Sequence, residues 1–285
     1  MKKEHKEMMK ARRRNIALRL AYDGTAYAGF QRQTPPIVAV QNVLEEKLQT
    51  IFGDTIELAA AGRTDAGVHA YGQVVNFFTD GTIPVERIAR AANSLLPEDI
   101  VIKEAWEAGR DFSARHSATS KTYLYRIQTG ETPDPMMARY AWYIRRPLDV
   151  AAMQSALDLI VGTHDFSAFR AAGGAPMSPV RTMYEAEIHP ADDRLLECRI
   201  HGSGFLYHMV RNVIGTLANV GLGVLTVDDF ARILASRDRK NASATAPARG
   251  LYLLDVRYDG QPHVQQKSST CDKIEASSKQ AVDKK

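Results

Sequence analysis

Residues 55–78 read TIELAAAGRTDAGVHAYGQVVNFF. The two ends, TIELAA and QVVNFF, are short apolar runs rich in β-branched or aromatic residues, which is how strands read. Between them Gly62 and Gly67 bracket Arg63, Thr64 and Asp65. Glycine-punctuated polar residues between strands make a connecting loop. The segment therefore predicts two strands joined by a loop that carries an arginine and an aspartate two residues apart. Taken alone, that pair is compatible with a local surface ion pair and equally with a carboxylate held for chemistry.

Working outward, Ile16, Leu18, Leu20 and Tyr22 alternate as a strand. Val40, Val43, Leu44, Leu48 and Ile51 recur at helical spacing, and Gly53 follows as a stop. Ile88, Ala91, Ala92 and Leu95 give a second helix ended by Pro97, and DIVIKEAW (99–106) reads as a closing strand. The order is βαββαβ, a ferredoxin-like pattern.

The remainder repeats that order without repeating the letters. KTYLYRIQ (121–128) is a strand, and VAAMQSALDLIVG (150–162) is a helix with Met153, Ala156, Leu157 and Ile160 on one face. RTMYEAEIH and RLLECRIHG are strands joined by PADD (190–193). FLYHMVRNVIGTLANV (205–220) is a helix and GLYLLDVRY (250–258) a strand, with VDDFARILAS (227–236) as an inserted helix. The expected fold class is α+β, with the sheets of two halves joining into one. The expected organisation is a charged arm over 1–14, a first half over 15–112, a second over 113–260, and a polar, disordered tail over 261–285.

The chain has 285 residues, 45% hydrophobic and 25% charged, which is ordinary globular composition. A net charge of +4 and a pI near 9.0 suggest a polyanionic partner. Cys198 and Cys271 lie far apart, the latter in the polar tail, which fits a reducing cytosol better than a disulfide. The basic start MKKEHKEMMKARRRN is followed by an alternating segment and not by an apolar run, so neither a signal peptide nor a membrane span is expected. The expected location is cytoplasmic. There is no GxxxxGK[ST] loop, no GxGxxG after a strand, no CxxC pair, no HExxH and no GxSxG, and the eight histidines are scattered. Neither a cofactor nor a metal is expected.

In the 205–220 helix, Leu206, Met209, Val210, Val213, Leu217 and Val220 form the apolar face, and His208, Arg211, Asn212, Gly215 and Asn219 fall on the other side. Arg211 lies at the margin, fit either to snorkel into solvent or to reach an anion in a cleft between the halves. Tyr123 and Tyr125 share one face of a strand, as packing residues or as a platform for a nucleobase. Arg110, Arg115, His116, Lys121, Arg126, Arg139, Arg145 and Arg146 form a basic cluster beside these aromatics, which suits RNA better than a membrane surface.

Six segments together carry a resemblance: LAYDGTAYAGFQRQ, GRTDAGVHA, ATSKTYLYRI, GTHDFSAFR, GFLYHMVRNVIGTL and APARGLYL. In this order, over residues 15 to 258, the chain resembles the TruA family of tRNA pseudouridine synthases. The resemblance implies the pseudouridine synthase fold, two ferredoxin-like halves around a basic cleft. It implies a cofactor-free homodimeric isomerase acting on uridines 38, 39 and 40 of the tRNA anticodon arm. It implies that Asp65 is catalytic, that Tyr123 lies against the target base, and that Arg211 pairs with the aspartate. Leu251, in APARGLYL, joins the substrate-binding residues. Arg63, two residues from Asp65 in the loop, is expected to grip the flipped nucleotide's phosphate or to help hold it out of the stem.

Two other functions compete. A non-catalytic RNA-binding protein would account for the charge and the tyrosines but not for the Asp65 loop, and an RNP1-like strand is missing. A nucleoside hydrolase would call for paired carboxylates or a metal.

Overall fold

The computed structural model describes Glu4, Glu7, Met9 and residues 11–174 and 177–259. The predicted tail over 261–285 and half of the predicted arm lie outside the described residues. The first unit runs β1 (Arg14–Tyr22), α1 (Val40–Phe52), β2 (Ala59–Ala60), β3 (His69–Thr79), α2 (Val85–Asn93) and β4 (Ile100–Ala108). Arg14, placed in the arm by the sequence, opens β1.

The second unit begins with β5 (Ala118–Thr129), the short β6 (Trp142–Ile144), α3 (Val150–Asp158) and β7 (Gly162–Asp165). It continues with β8 (Val180–Pro190), β9 (Leu195–Gly202), α4 (Met209–Gly221), α5 (Val227–Ser236) and β10 (Leu251–Tyr258).

The sheet order reveals two copies of one plan. In the first unit the order is β4-β1-β3, with β2 on the far edge of β3; in the second it is β10-β5-β9-β8. Counting only the strands of each βαββαβ unit, both follow the ferredoxin-like arrangement of fourth, first, third, second. A single ten-stranded sheet results because β10 pairs antiparallel with β5 and parallel with β3. The parallel pairing is short, Tyr252 opposite His69 and Leu253 opposite Ala70. β2 and β10 thus share one edge of β3: β2 lies against Val75 and Asn76, and β10 lies at the opposite end. The loop between β2 and β3 sits at this seam.

The cores form as the periodicities require. In α1, Val40, Leu44 and Leu48 are buried, as are Ile16, Leu18 and Leu20 of β1 and Val75 and Phe77 of β3. Each such side chain contributes on the order of 2 kcal/mol of hydrophobic stabilisation. Gly53 stops α1 with φ +68, a left-handed cap that glycine adopts without strain.

The structure corrects several elements: the helix expected over 150–162 ends at Asp158, Gly162 opens β7, and β3 begins at His69, ahead of QVVNFF. TIELAA was expected as a full strand, but only Ala59 and Ala60 pair. Ile56 and Leu58 are buried in the core, and the Leu58 amide donates to Glu45 Oε1 at 2.9 Å instead of to a ladder. The helix expected from Phe205 begins at Met209, because His208 adopts a left-handed backbone with φ +58.

The side of α4 that carries Asn212 and Gly215 is also buried. Residues 239–246 lie against it. Arg239 and Thr245 donate to Asn212 Oδ1 at 3.1 and 2.7 Å, and Asn212 Nδ2 donates to the Phe169 carbonyl at 2.8 Å. A Cβ at Gly215 would stand 2.0 Å from the Ala244 carbonyl oxygen, so glycine alone admits this strap.

Candidate active site at the seam

The loop from Ala61 to Val68 is fixed from several sides. The Ala61 amide donates to the Val74 carbonyl at 2.8 Å, and Gln73 Nε2 donates to the Gly62 carbonyl at 2.8 Å. Thr64 is buried: its carbonyl accepts from the Phe30 amide at 3.0 Å and its hydroxyl lies 2.7 Å from Tyr22 Oη. The Val68 amide donates to the Asp65 carbonyl at 3.1 Å and closes the turn, with Gly67 at φ +76. Gly62 does not adopt a positive φ. Its bare Cα leaves room for the Lys121 ammonium, 3.4 Å from where a Cβ would be. The two bracketing glycines therefore serve different ends, one a turn and one a close approach.

Asp65 does not pair with Arg63. Its Oδ2 accepts from Arg211 Nη1 at 2.8 Å and lies 3.2 Å from His208 Nε2. Arg211 is held in turn, because its Nε donates to the Ala246 carbonyl at 2.8 Å. The strap that covers α4 thus aims the guanidinium. Among the described residues no donor reaches Asp65 Oδ1, and Asp65 lines the cleft. The Arg211 side chain is 15% exposed and that of Asp65 25%, so the pair is largely withdrawn from water without being sealed.

His208 was not singled out as a site residue. Its left-handed backbone at the start of α4 turns the ring to the carboxylate, and no sequence pattern announces such a conformation for histidine. Burial lowers its pKa below the ordinary 6.5; the Asp65 charge opposes that shift, and Arg211 and Arg239 reinforce it. The Tyr207 ring, about half exposed, packs on it with centroids 3.9 Å apart.

Tyr123 and Leu251 project from the adjoining strands β5 and β10 and line the same cleft. The Tyr123 ring is packed edge-on against Phe205 at 4.8 Å, and burial raises its phenol pKa, with the charge of Asp65 adding to the rise. Tyr125 is fully buried and donates to the Pro247 carbonyl at 2.8 Å, so of the two tyrosines it is the packing residue. Arg63 is exposed on the cleft wall, with no hydrogen bond or ion pair to a described residue.

The cleft has a volume of about 1800 Å³ and runs between the two units. Arg63, Arg110, Arg115, Lys121, Arg181 and Arg211 line it, against the carboxylates Glu57, Asp65 and Asp111. The positive excess makes it suited to a polyanion. The predicted basic cluster divides. Arg110, Arg115, His116 and Lys121 belong to the cleft, whereas Arg126 pairs with Glu197 at 2.8 Å and lies over the ring of Tyr252 at 5.0 Å. Arg139, Arg145 and Arg146 are exposed away from the cleft, Arg145 beside Glu131. Arg181, on β8, was missed because a lone arginine in a strand carries no signal. Among the described residues no cluster of three or more His, Cys, Asp or Glu is placed to hold a metal ion.

The tRNA pseudouridine synthase family model matches residues 20–117 and 156–259. Asp65, Arg211 and Leu251 fall inside these segments; Tyr123 falls between them. The tRNA pseudouridine synthase A of Acetivibrio thermocellus is 43% identical over 245 residues, covering 86% of this chain and 100% of that protein. That of Roseiflexus sp. is 46% identical over 248 residues, 86% of this chain and 91% of its own. That of Latilactobacillus sakei is 44% identical over 242 residues, 84% and 96% respectively. With the matched segments reaching from β1 to β10 and relatives covered nearly end to end, the chain belongs to the tRNA pseudouridine synthase family.

Proposed function

We propose that this chain isomerises uridine to pseudouridine at positions 38, 39 and 40 of the tRNA anticodon arm, with Asp65 as the reacting carboxylate. The observation that carries the reading is the Asp65 carboxylate itself. One oxygen is held by Arg211 and His208, and the other is left open in a basic cleft beside Tyr123 and Leu251.

The reaction breaks the N1–C1′ bond, turns the uracil, and forms a C5–C1′ bond. C5 loses its proton and N1 gains one, so nothing is oxidised or consumed. A base in a stem must first leave the stack, at a cost of a few kcal/mol. The positive cleft offsets part of that cost through the phosphates. In this reading Tyr123 and Leu251 flank the extruded base, and the exposed Arg63 grips the flipped nucleotide or keeps it out of the stem. Holding Asp65 by Oδ2 leaves Oδ1 to meet the substrate at a fixed angle, which is the positioning that such a step depends on.

The assembly belonging to this reading is a homodimer and the compartment is the cytoplasm. The family resemblance supports the first. The second is supported by Cys198, a buried free thiol. No helix among the described residues is long and apolar enough to cross a membrane.

The deciding experiment incubates the purified protein with an unmodified tRNA transcript and identifies the nucleosides released on digestion. Pseudouridine at 38–40 is the expected product. Free uracil would instead indicate a hydrolase, and bound but unaltered tRNA a non-catalytic RNA-binding protein.

A further inference from the structure

Lys121 occupies an unusual position for an ammonium. It stands on β5 two residues before Tyr123, on the same face, and lines the cleft. Its Nζ donates to the Ala61 carbonyl of the Asp65 loop at 2.6 Å, tucked against the bare Cα of Gly62. That is its one hydrogen bond to a described residue, and two N–H groups remain. Among the described residues no carboxylate lies within ion-pair distance. The charged groups that act on it are Arg115, from the segment before β5, and Arg181, from β8, and both repel it. The carboxylate of the neighbouring loop, Asp65, is taken by Arg211 and His208.

Neither arginine is neutralised. Arg115 is exposed and has no partner among the described residues. Arg181 spends Nη1 on the carbonyls of Ser178 and Val180 at 2.7 and 2.6 Å and places Nη2 3.1 Å from Met177 Sδ. These contacts fix the guanidinium without cancelling its charge.

Three cations act on one another here, and among the described residues no carboxylate forms an ion pair with Lys121, Arg115 or Arg181, although burying an uncompensated charge is costly. A carbonyl of a nucleobase would accept a hydrogen bond from Lys121 but leave the charge unbalanced. A phosphodiester accepts the bond and supplies the missing charge. We propose that Lys121, with Arg115 and Arg181, forms a subsite for one backbone phosphate of the RNA substrate, seated beneath the Asp65 loop. This rests on the reading of the cleft as an RNA site and names a contact within it.

A consequence separates this role from that of a mere prop for the loop. Burial, reinforced by Arg115 and Arg181, lowers the Lys121 pKa from 10.5 to about 8. A phosphate would restore the ammonium, so binding must take up a proton at and above that pH.

The test measures the affinity of the full chain for an unmodified tRNA transcript at pH 7 and pH 9, at constant ionic strength. Wild type, Lys121→Met and Lys121→Arg are compared, with circular dichroism to confirm folding. Wild type is expected to bind about tenfold more weakly at pH 9, because about one molecule in ten then carries the proton. Lys121→Met should bind weakly at pH 7 and lose this pH dependence. Lys121→Arg, whose charge does not titrate in this range, should keep the affinity at pH 7 and hold it at pH 9. Should Lys121→Met fail to fold, the Lys121→Arg pair of affinities still decides. A pH dependence shared by wild type and Lys121→Arg, or wild-type affinity in a folded Lys121→Met, overturns the proposal. Pseudouridine formation is assayed on the same transcript. If wild type makes the product while the pH dependence is shared, the subsite alone is refuted; if it binds without making product, the catalytic reading fails and the affinity series still judges the subsite.

Discussion

Truncating Arg211 tests the arrangement of the site most directly. Arg211→Ala removes the bond from Nη1 to Asp65 Oδ2 at 2.8 Å and the bond from Nε to the Ala246 carbonyl at 2.8 Å. For unit charges about 4 Å apart in an effective dielectric near 20, the gross attraction is about 4 kcal/mol, before desolvation is subtracted. Exposed pairs retain at most about 1 kcal/mol of this, and breaking fully buried ones costs about 3–5 kcal/mol. With exposures of 15% and 25%, this pair falls between. A coupling of about 2 kcal/mol is therefore expected, with roughly 1 kcal/mol more for the carbonyl bond, which does not involve Asp65. Urea unfolding of wild type, Arg211→Ala, Asp65→Ala and the double variant closes the cycle and isolates the coupling. Single-turnover pseudouridine formation should fall about 100-fold in Arg211→Ala, since the carboxylate keeps His208 but loses its fixed angle. Arg211→Lys should recover only part, because one ammonium cannot copy the fork that reaches both Asp65 and Ala246. A coupling near zero together with an unchanged single-turnover rate would refute the pairing as a working part of the site.

Four further outcomes are expected. Asp65→Asn keeps the size of the side chain and removes its charge, so product formation should vanish while tRNA affinity stays near wild type; substantial turnover would sink the assignment. Gly29 has φ +89, and a Cβ there would meet the Thr64 carbonyl oxygen at 2.7 Å. Gly29→Ala should therefore cost about 2 kcal/mol or more in urea unfolding and slow catalysis by displacing the loop, whereas a wild-type midpoint and rate would contradict this account of how the loop is held. Burial holds His69, His201 and His208 below their ordinary 6.5, so the unfolded chain takes up protons first as pH falls. The associated stability is intact above pH 6.5 and lost below it, and His208→Gln should make that acid loss shallower, as read from denaturation midpoints across the range. Finally, if four to six phosphates are contacted, tRNA affinity should fall with salt at a log–log slope of roughly −3 to −5, and a flat response would speak against the cleft as the RNA site.

Much of this architecture is legible from periodicity. Helix α1 follows its pattern almost to the residue, because it buries one continuous face, whereas β3 begins at His69, four residues ahead of QVVNFF, and is buried on both faces. β2 is misread because Ile56 and Leu58 have strand-like chemistry but are turned into the core by tertiary packing, which local pattern does not encode. The short strands β6 and β7 escape notice because they exist only through distant partners. In the site, Asp65 stands out through its glycine-bracketed loop, but its partner lies 146 residues away. The helical spacing puts Arg211 at a margin and leaves two options open. The strap that resolves them, residues 239–246, has no periodic signature. His208 is illegible for a different reason, since its role depends on a left-handed backbone that only the folded surroundings impose.

The pairing of β10 with β3 also has a bearing on when the site can come into being. Tyr252 and Leu253 meet His69 and Ala70 across most of the chain's length, and Arg211 is aimed at Asp65 by a strap only a few residues before β10. During synthesis the first unit can close its own core while its aspartate still waits for a counter-charge. Contacts this distant in sequence form late, because loop closure precedes any gain from them. A ribosome-bound chain halted before Leu251 would therefore hold a folded first unit and no active site, and activity should switch on abruptly once β10 has emerged.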